Sequence, residues 1–228
     1  METQTDTRTQ SPKSLWDLLA AGALGSALLA TGAVYDKLPN PIATHFDLHG
    51  NPNGWMSRPW GAWFVPGFAF GLWALVRFLP AVLPRTEKKR LTSSGAVVPM
   101  VSSLVAVFMA MIHLVILRVA LVPGASVNRP VFLIVGALYI ALGLVMPRVK
   151  RNGLVGVRTP WTLGSDENWA RTHRVAGYTM VATGFLAGGA GSLGNALGSG
   201  LAIAFLLLGG LVPVVYSLVL ARRLDSRS

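Results

Sequence analysis

Long apolar runs separated by short polar intervals dominate this chain. Six runs stand out, at about 15–34, 61–83, 96–122, 130–146, 175–189 and 200–221. A helix of roughly 20 apolar residues spans the hydrocarbon core of a bilayer. The pattern therefore predicts an all-α, polytopic membrane bundle of six transmembrane helices. The polar intervals divide it into a disordered arm (1–14), two spans (15–83) around a loop at 35–60, and spans three and four (84–147). A segment at 148–221 follows, with a polar interval at 148–174 ahead of spans five and six, and a basic tail (222–228) closes the chain. The arm has neither the apolar core nor the cleavage site of a signal peptide, so the first span is expected to stay attached as an anchor.

Composition agrees with this class. The 228 residues are 52% hydrophobic and only 13% charged, where soluble domains carry about a quarter charged residues. With no cysteine in the chain, disulfides, thiolate metal sites and cysteine nucleophiles drop out. A net charge of +11 would suggest nucleic acid in a soluble protein, so its distribution matters. Placing the N-terminus inside puts 15 Lys and Arg in the inside segments and 3 (Lys37, Arg58 and Arg129) in the outside loops. The inside clusters include Arg85, Lys88, Lys89 and Arg90, then Arg148, Lys150, Arg151, Arg158, Arg171 and Arg174. That alternation is the positive-inside rule, and it predicts both termini in the cytoplasm and no direct nucleic-acid binding.

Candidate chemistry is sparse. In the loop at 35–60, His45, Asp47 and His49 would share one face if extended and are weak candidates for a metal site. No fourth ligand or general base stands near them, so no metal and no cofactor are expected. Trp55, Trp60 and Trp63 suit the headgroup level. Within the spans, His113 is expected to face the bundle as a neutral, hydrogen-bonded imidazole, and Arg77 and Arg118 to snorkel to the interface. Gly67 and Gly71, Gly184 and Gly188, and Gly194 and Gly198 match the small-xxx-small packing pattern, and Pro213 predicts a kink in the last span.

The interval at 148–174 is the longest polar stretch. Gly153, Gly156 and Pro160 oppose a regular helix up to Trp161, and Thr159 before proline is biased to extended backbone. Ser165 suits an N-cap, with Asp166 and Glu167 in the first turn. Glu167 and Arg171 are spaced for an ion pair, and Trp169 and His173 for one face. The Gly-Lys-Ser/Thr element of a phosphate-binding loop is missing, and no nucleophile–base–acid set is visible. An ordered cytoplasmic platform feeding a helix is the expectation.

Two motifs carry a family resemblance. Asn152-Gly-Leu-Val-Gly156-Val-Arg158-Thr159-Pro160-Trp161-Thr162-Leu163, followed by Trp169 and Thr172-His173-Arg174, closely resembles the signature of the SdpI family. These are bacterial membrane proteins named for immunity to a secreted sporulation-delaying toxin. Leu38-Pro39-Asn40-Pro41-Ile42-Ala43-Thr44-His45-Phe46-Asp47, with Gly50 and Gly54-Trp55, resembles an uncharacterised extracytoplasmic domain that commonly precedes that signature. Arg58 departs from the lysine more usual at its position.

The resemblance implies an immunity and sensor protein of the bacterial cytoplasmic membrane rather than an enzyme. An outer loop using Pro39, His45, Phe46, Asp47, Gly50 and Trp55 would meet a peptide toxin. An inner segment using Asn152, Gly156, Arg158, Thr159, Pro160, Trp161, Trp169, His173 and Arg174 would bind a cytoplasmic repressor or serve as structure. A small transporter or exporter is the alternative function, and a metal-dependent membrane enzyme a more remote one.

Overall fold

The computed structural model describes residues 12–92 and 97–226. The first eleven residues of the expected disordered arm, 1–11, lie outside these. Among the described residues are eight α-helices and one hairpin: α1 (Pro12–Val34), β1 (Ile42–Phe46), β2 (Pro52–Met56), α2 (Arg58–Val82), α3 (Arg85–Thr92), α4 (Val97–Leu121), α5 (Asn128–Val145), α6 (Pro160–Gly164), α7 (Asp166–Gly191) and α8 (Ala196–Asp225). The all-α membrane bundle is as expected, with three local corrections. The last residues assigned to the arm, 12–14, are already helical. The basic loop after the second span folds as α3. The loop at 35–60 contains an antiparallel hairpin, in which Ala43 pairs with Trp55 and His45 with Gly54.

Burial in this bundle differs from that of a soluble protein chiefly in its outer face. The interior is rich in small and polar residues, with Ala20, Ala27, Ala69, Ala106, Ala176, Ala187, Thr31, Ser102, His113, Asn168 and Thr172 all buried beside larger apolar side chains such as Val97, Ile116 and Leu117. The outer face is large and aliphatic or aromatic: Leu29 is 77% exposed, Leu207 67% and Phe185 66%. Lipid gives apolar side chains no reason to turn inward, so close approach of small residues and interhelical hydrogen bonds organise the contacts instead.

The long helices form two consecutive triplets. In the first, α4 packs against α1 and α2; in the second, α7 packs between α5 and α8; the α4–α5 contact joins them. The α5–α7 seam is built from glycine on both sides. A Cβ on Gly136 would lie 2.6 Å from the Gly184 carbonyl oxygen, and one on Gly143 would lie 2.9 Å from that of Gly177. Gly184 and Gly188 thus use the small-residue pattern for close packing. Gly67 and Gly71 carry the same pattern but face nothing within 4 Å, and Gly194 sits in the α7–α8 turn with φ +68°.

Among the described residues, five helices are long and apolar enough to cross a membrane, at 15–37, 58–79, 97–121, 128–148 and 196–224. The expected fifth span lies in α7, which opens with Asp166-Glu167-Asn168-Trp169-Ala170-Arg171-Thr172-His173-Arg174 and continues Gly-rich, so its composition does not place it among the five. It still runs the length of the second triplet. Pro213 lies inside α8 and cannot donate to the Gly209 carbonyl one turn back. Thr179 of α7 donates to that oxygen instead, at 3.3 Å.

One end of the bundle carries the hairpin and the other carries the basic clusters. At the basic end, Arg77 of α2 grips Asp17 of α1 through Nε and Nη2, at 2.9 and 3.0 Å. Arg77 was expected to snorkel to the interface, and a carboxylate partner on the neighbouring helix, which was not foreseen, holds it in place.

Candidate functional site

The segment 148–174 forms a structured platform at the basic end, and its order comes from buried polar side chains. Asn152 is fully buried and closes the loop on itself. Its Oδ1 accepts from the Leu154 and Val155 amides, both at 2.8 Å, and its Nδ2 donates to the Lys150 and Val155 carbonyls, at 2.8 and 3.1 Å. Gly156 then turns the chain with φ +117°, a region that disfavours side chains. A Cβ there would also collide with Nε2 of His173.

His173 is the second organiser. Its Nδ1 is 2.9 Å from the Trp169 carbonyl, and its Nε2 accepts from the Val157 amide at 3.1 Å. Those two partners define the neutral tautomer, with the proton on Nδ1. Burial pushes the imidazole below its ordinary pKa, opposed by the bond to Trp169. The Trp169 indole stacks on it, with ring centroids 4.0 Å apart, and donates Nε1–H to the Val149 carbonyl at 2.7 Å. The expected shared face of Trp169 and His173 is therefore a packed stack that pins loop to helix.

Thr159 sits in extended backbone (φ −98°, ψ 162°) and caps α6 in a capping box with Thr162. Pro160 occupies the first turn of α6, where its missing N–H has no helical partner to lose. This short helix was not expected. Ser165 caps α7 by accepting from the Asn168 amide, and Arg171 pairs with Glu167 at 2.8 Å, both as the spacing predicted. Arg158, Pro160, Trp161 and Arg174 remain exposed, with Trp161 at 38%. The candidate residues thus divide into a buried set (Asn152, Thr159, Trp169 and His173) and an outward set.

Several contributors went unread in the sequence. Asn168 is buried and donates to the Ser217 carbonyl of α8 at 2.9 Å, while Thr172 donates back to Asn168 at 3.0 Å. The Thr159 and Ser217 hydroxyls are 3.1 Å apart. Arg151 clamps Asp166 through Nε and Nη2 and donates to the Leu163 carbonyl. Glu87 of α3 accepts from the Gly153 amide at 3.2 Å. A lone serine within the apolar run Val214-Val215-Tyr216-Ser217-Leu218-Val219 was the available signal for Ser217, since polar groups in such runs seek helix partners.

At the opposite end, Leu38 and Ile42 are fully buried and pack with Ala62, Ile116 and Leu117, fixing the hairpin base on α2 and α4. Phe46 packs towards Val115, Val127 and Ile134. The one-face arrangement considered for His45, Asp47 and His49 does not form. The pairing slips around His45, and the strand ends at Phe46. Asp47 opens the turn, its Oδ1 accepting from the Asn51 and His49 amides, each at 2.8 Å. Those bonds, the Asn51 amide first, hold its carboxyl below the usual range. Among the described residues no group of three His, Asp or Glu converges as a metal set.

The hairpin tip is tied to the second triplet. Asn128, at the start of α5, donates to the Leu48 carbonyl at 2.8 Å and to the Ser199 hydroxyl of α8 at 3.2 Å. Gly50 turns beside it with φ +86°, and a Cβ there would press on the Asn128 amide at 3.1 Å. Pro39, His45 and Trp55 are exposed. Deeper in the first triplet, the His113 ring is fully buried and bonds Thr31 of α1 through Nε2 at 2.7 Å, as expected of a bundle-facing histidine.

A small-residue helical bundle with a lipid-suited exterior, a hairpin at one end and a polar platform at the other defines a multi-pass membrane protein. Comparison with known proteins places it further. Residues 148–217 match the SdpI/YfhL protein family, and residues 23–70 match a domain of unknown function (DUF1648). The chain is 26% identical over 161 residues to "Immunity protein SdpI" of Bacillus subtilis (strain 168), covering 70% of this chain and 73% of that protein. No solved structure matches. The chain is thus similar to the SdpI/YfhL family over 148–217 and to the DUF1648 domain over 23–70, in the two stretches where its motifs carry the resemblance. The matched segment ends at Ser217, the residue that receives both Thr159 and Asn168.

Proposed function

We propose that this protein is an SdpI-type immunity and sensor protein of the bacterial cytoplasmic membrane. In this reading α7 supplies a sixth span, both termini lie in the cytoplasm, the hairpin faces outward and the platform faces inward. The basic residues gathered at the platform end support that orientation. The hairpin meets a secreted antimicrobial peptide, and the outward set of the platform, Arg158 and Trp161 foremost, meets a cytoplasmic repressor.

The observation that carries the proposal is the double attachment of α8. Its first turn holds Ser199 against Asn128 and the hairpin tip, and its last third holds Ser217 against Thr159 and Asn168 of the platform. One helix is therefore linked to both candidate recognition surfaces, directly to the platform and through Asn128 to the hairpin tip.

The test is expression in a bacterium sensitive to such a peptide. The wild-type chain raises survival, and Asn128→Ala reduces the gain at equal membrane abundance. Arg158→Ala combined with Trp161→Ala retains protection and loses induction of a repressor-controlled reporter. Unchanged killing by the peptide, with the protein demonstrably in the membrane, rejects the immunity reading.

A further inference from the structure

Beside the platform, α7 and α8 leave a cleft of about 100 Å³ lined by Arg171, Tyr216, Val219, Leu220, Arg223 and Leu224. It has two chemistries. One rim presents two guanidinium groups and a phenol; the wall is aliphatic. Arg171 gives one nitrogen to Glu167, but a guanidinium has five N–H donors in a planar fork, so others remain for a second oxyanion.

The outer face of α8 decides what kind of anion suits this cleft. Leu208, Val212, Val215 and Val219 recur at spacings of three and four residues and are each 40–50% exposed, so they form one aliphatic stripe along the helix. Continuing that spacing by four residues reaches Arg223. The stripe begins deep in an apolar helix and ends at the arginines. A free anion would use only the rim. An amphiphile with an anionic head and an acyl tail uses both.

We propose that this cleft is a binding site for the phosphate headgroup of an anionic phospholipid, with its acyl chain lying along the α8 stripe. The C-terminal end of a helix carries partial negative charge, which opposes any anion there. Binding therefore depends on Arg171 and Arg223, and the site places a lipid against the helix that supports the platform. The inference does not rest on the immunity reading.

The test uses the purified full chain in detergent and native mass spectrometry, with phosphatidylglycerol, phosphatidylcholine of the same acyl chains, and inorganic phosphate as separate titrants. The wild type should bind one phosphatidylglycerol in preference to phosphatidylcholine. A basic side chain at a membrane surface is worth about a fivefold change in affinity for an anionic lipid. Arg223→Gln, at an exposed helix end, should therefore weaken binding about fivefold, and Arg171→Gln with Arg223→Gln by more than about tenfold. The double lysine variant should retain most of it. Arg85→Gln, which removes the same charge from α3, should leave affinity within about twofold. Equal binding of phosphatidylcholine, equal weakening by Arg85→Gln, or inorganic phosphate binding as tightly as the lipid would each overturn the proposal.

Discussion

The hydroxyl groups of Thr159 and Ser217 lie 3.1 Å apart, joining a loop before α6 to the interior of α8 across 58 residues of chain. Thr159 also accepts from the Thr162 amide, so the same oxygen caps a helix and fastens the platform to the bundle. Removing Ser217 by Ser217→Ala should cost about 1 kcal/mol, while Thr159→Ala loses a cap as well and should cost about 1–2 kcal/mol. Thermal unfolding in detergent of both single variants and the double variant gives the coupling, which should be about 0.5–1 kcal/mol. Strict additivity would show that the two hydroxyls do not interact.

Gly156→Ala should be among the most damaging single substitutions. The backbone at φ +117° disfavours any side chain, and the new methyl meets the ring nitrogen that holds the Val157 amide. More than about 2 kcal/mol is expected, read as a lowered melting temperature and a reduced yield of folded protein. Gly164→Ala is the comparison, because nothing lies within 4 Å of it.

Acid should loosen the platform through His173. Its folded pKa is held below the ordinary imidazole value of about 6.5, so the unfolded chain binds the proton more readily. The stabilising contribution is fully present above about pH 6.5 and is lost as pH falls through the folded pKa. A protonated Nε2 can no longer accept from Val157. Unfolding measured from pH 8 to pH 5 should therefore show a decline below about pH 6.5 that is smaller in His173→Gln, although that variant is less stable at neutral pH. An identical pH slope in both proteins would assign the decline elsewhere.

The glycine pattern gives two opposite outcomes from one motif. Gly136→Ala drives a methyl against the Gly184 carbonyl of α7, and such overpacking should cost about 1–3 kcal/mol. Gly67→Ala meets open space, so helix propensity alone should leave it neutral or gain up to about 1 kcal/mol. Melting temperatures of the two variants in one detergent make the comparison.

Releasing the hairpin tip should be visible without unfolding the bundle. Asn128→Ala removes the donor to the Leu48 carbonyl. One such bond is worth about 1 kcal/mol, so amide exchange around Gly50 and Asn51 should rise about fivefold while the α5–α7 seam stays protected. Unchanged exchange at the tip would mean that the hairpin is held by its base alone.

What could be read in the sequence was whatever repeats or is local. The apolar runs located the helices because hydrophobicity is a one-dimensional property of a span. Ser165 and the Glu167–Arg171 pair were legible because caps and i,i+4 pairs are made within one turn, whereas of Thr159 only the extended backbone before Pro160 was legible and not its cap on α6. The hairpin was hidden because its alternation is interrupted at His45 and its strands are only five residues each. Ser217, Asn128 and Glu87 were hidden for a different reason. Their partners lie 49 to 80 residues away, and no local rule links such positions. Glycine showed the same limit: the motif at Gly67 and Gly71 is as good on paper as the one at Gly184 and Gly188, and only the neighbouring helix distinguishes them.

The bonds that tie the hairpin tip to Asn128, and Gly153 to Glu87, cross between the two triplets at opposite ends of the bundle. Each seam has one partner in the front half of the chain and one in the back half. Recombination between diverged relatives at the α4–α5 turn would therefore separate matched residues at both ends simultaneously. A chimera that takes its front half from another relative should become stable only when the donating side chain at 128 and the carboxylate at 87 suit their new partners. The halves are then expected to be inherited as a set, even though nothing covalent beyond one turn obliges them to be.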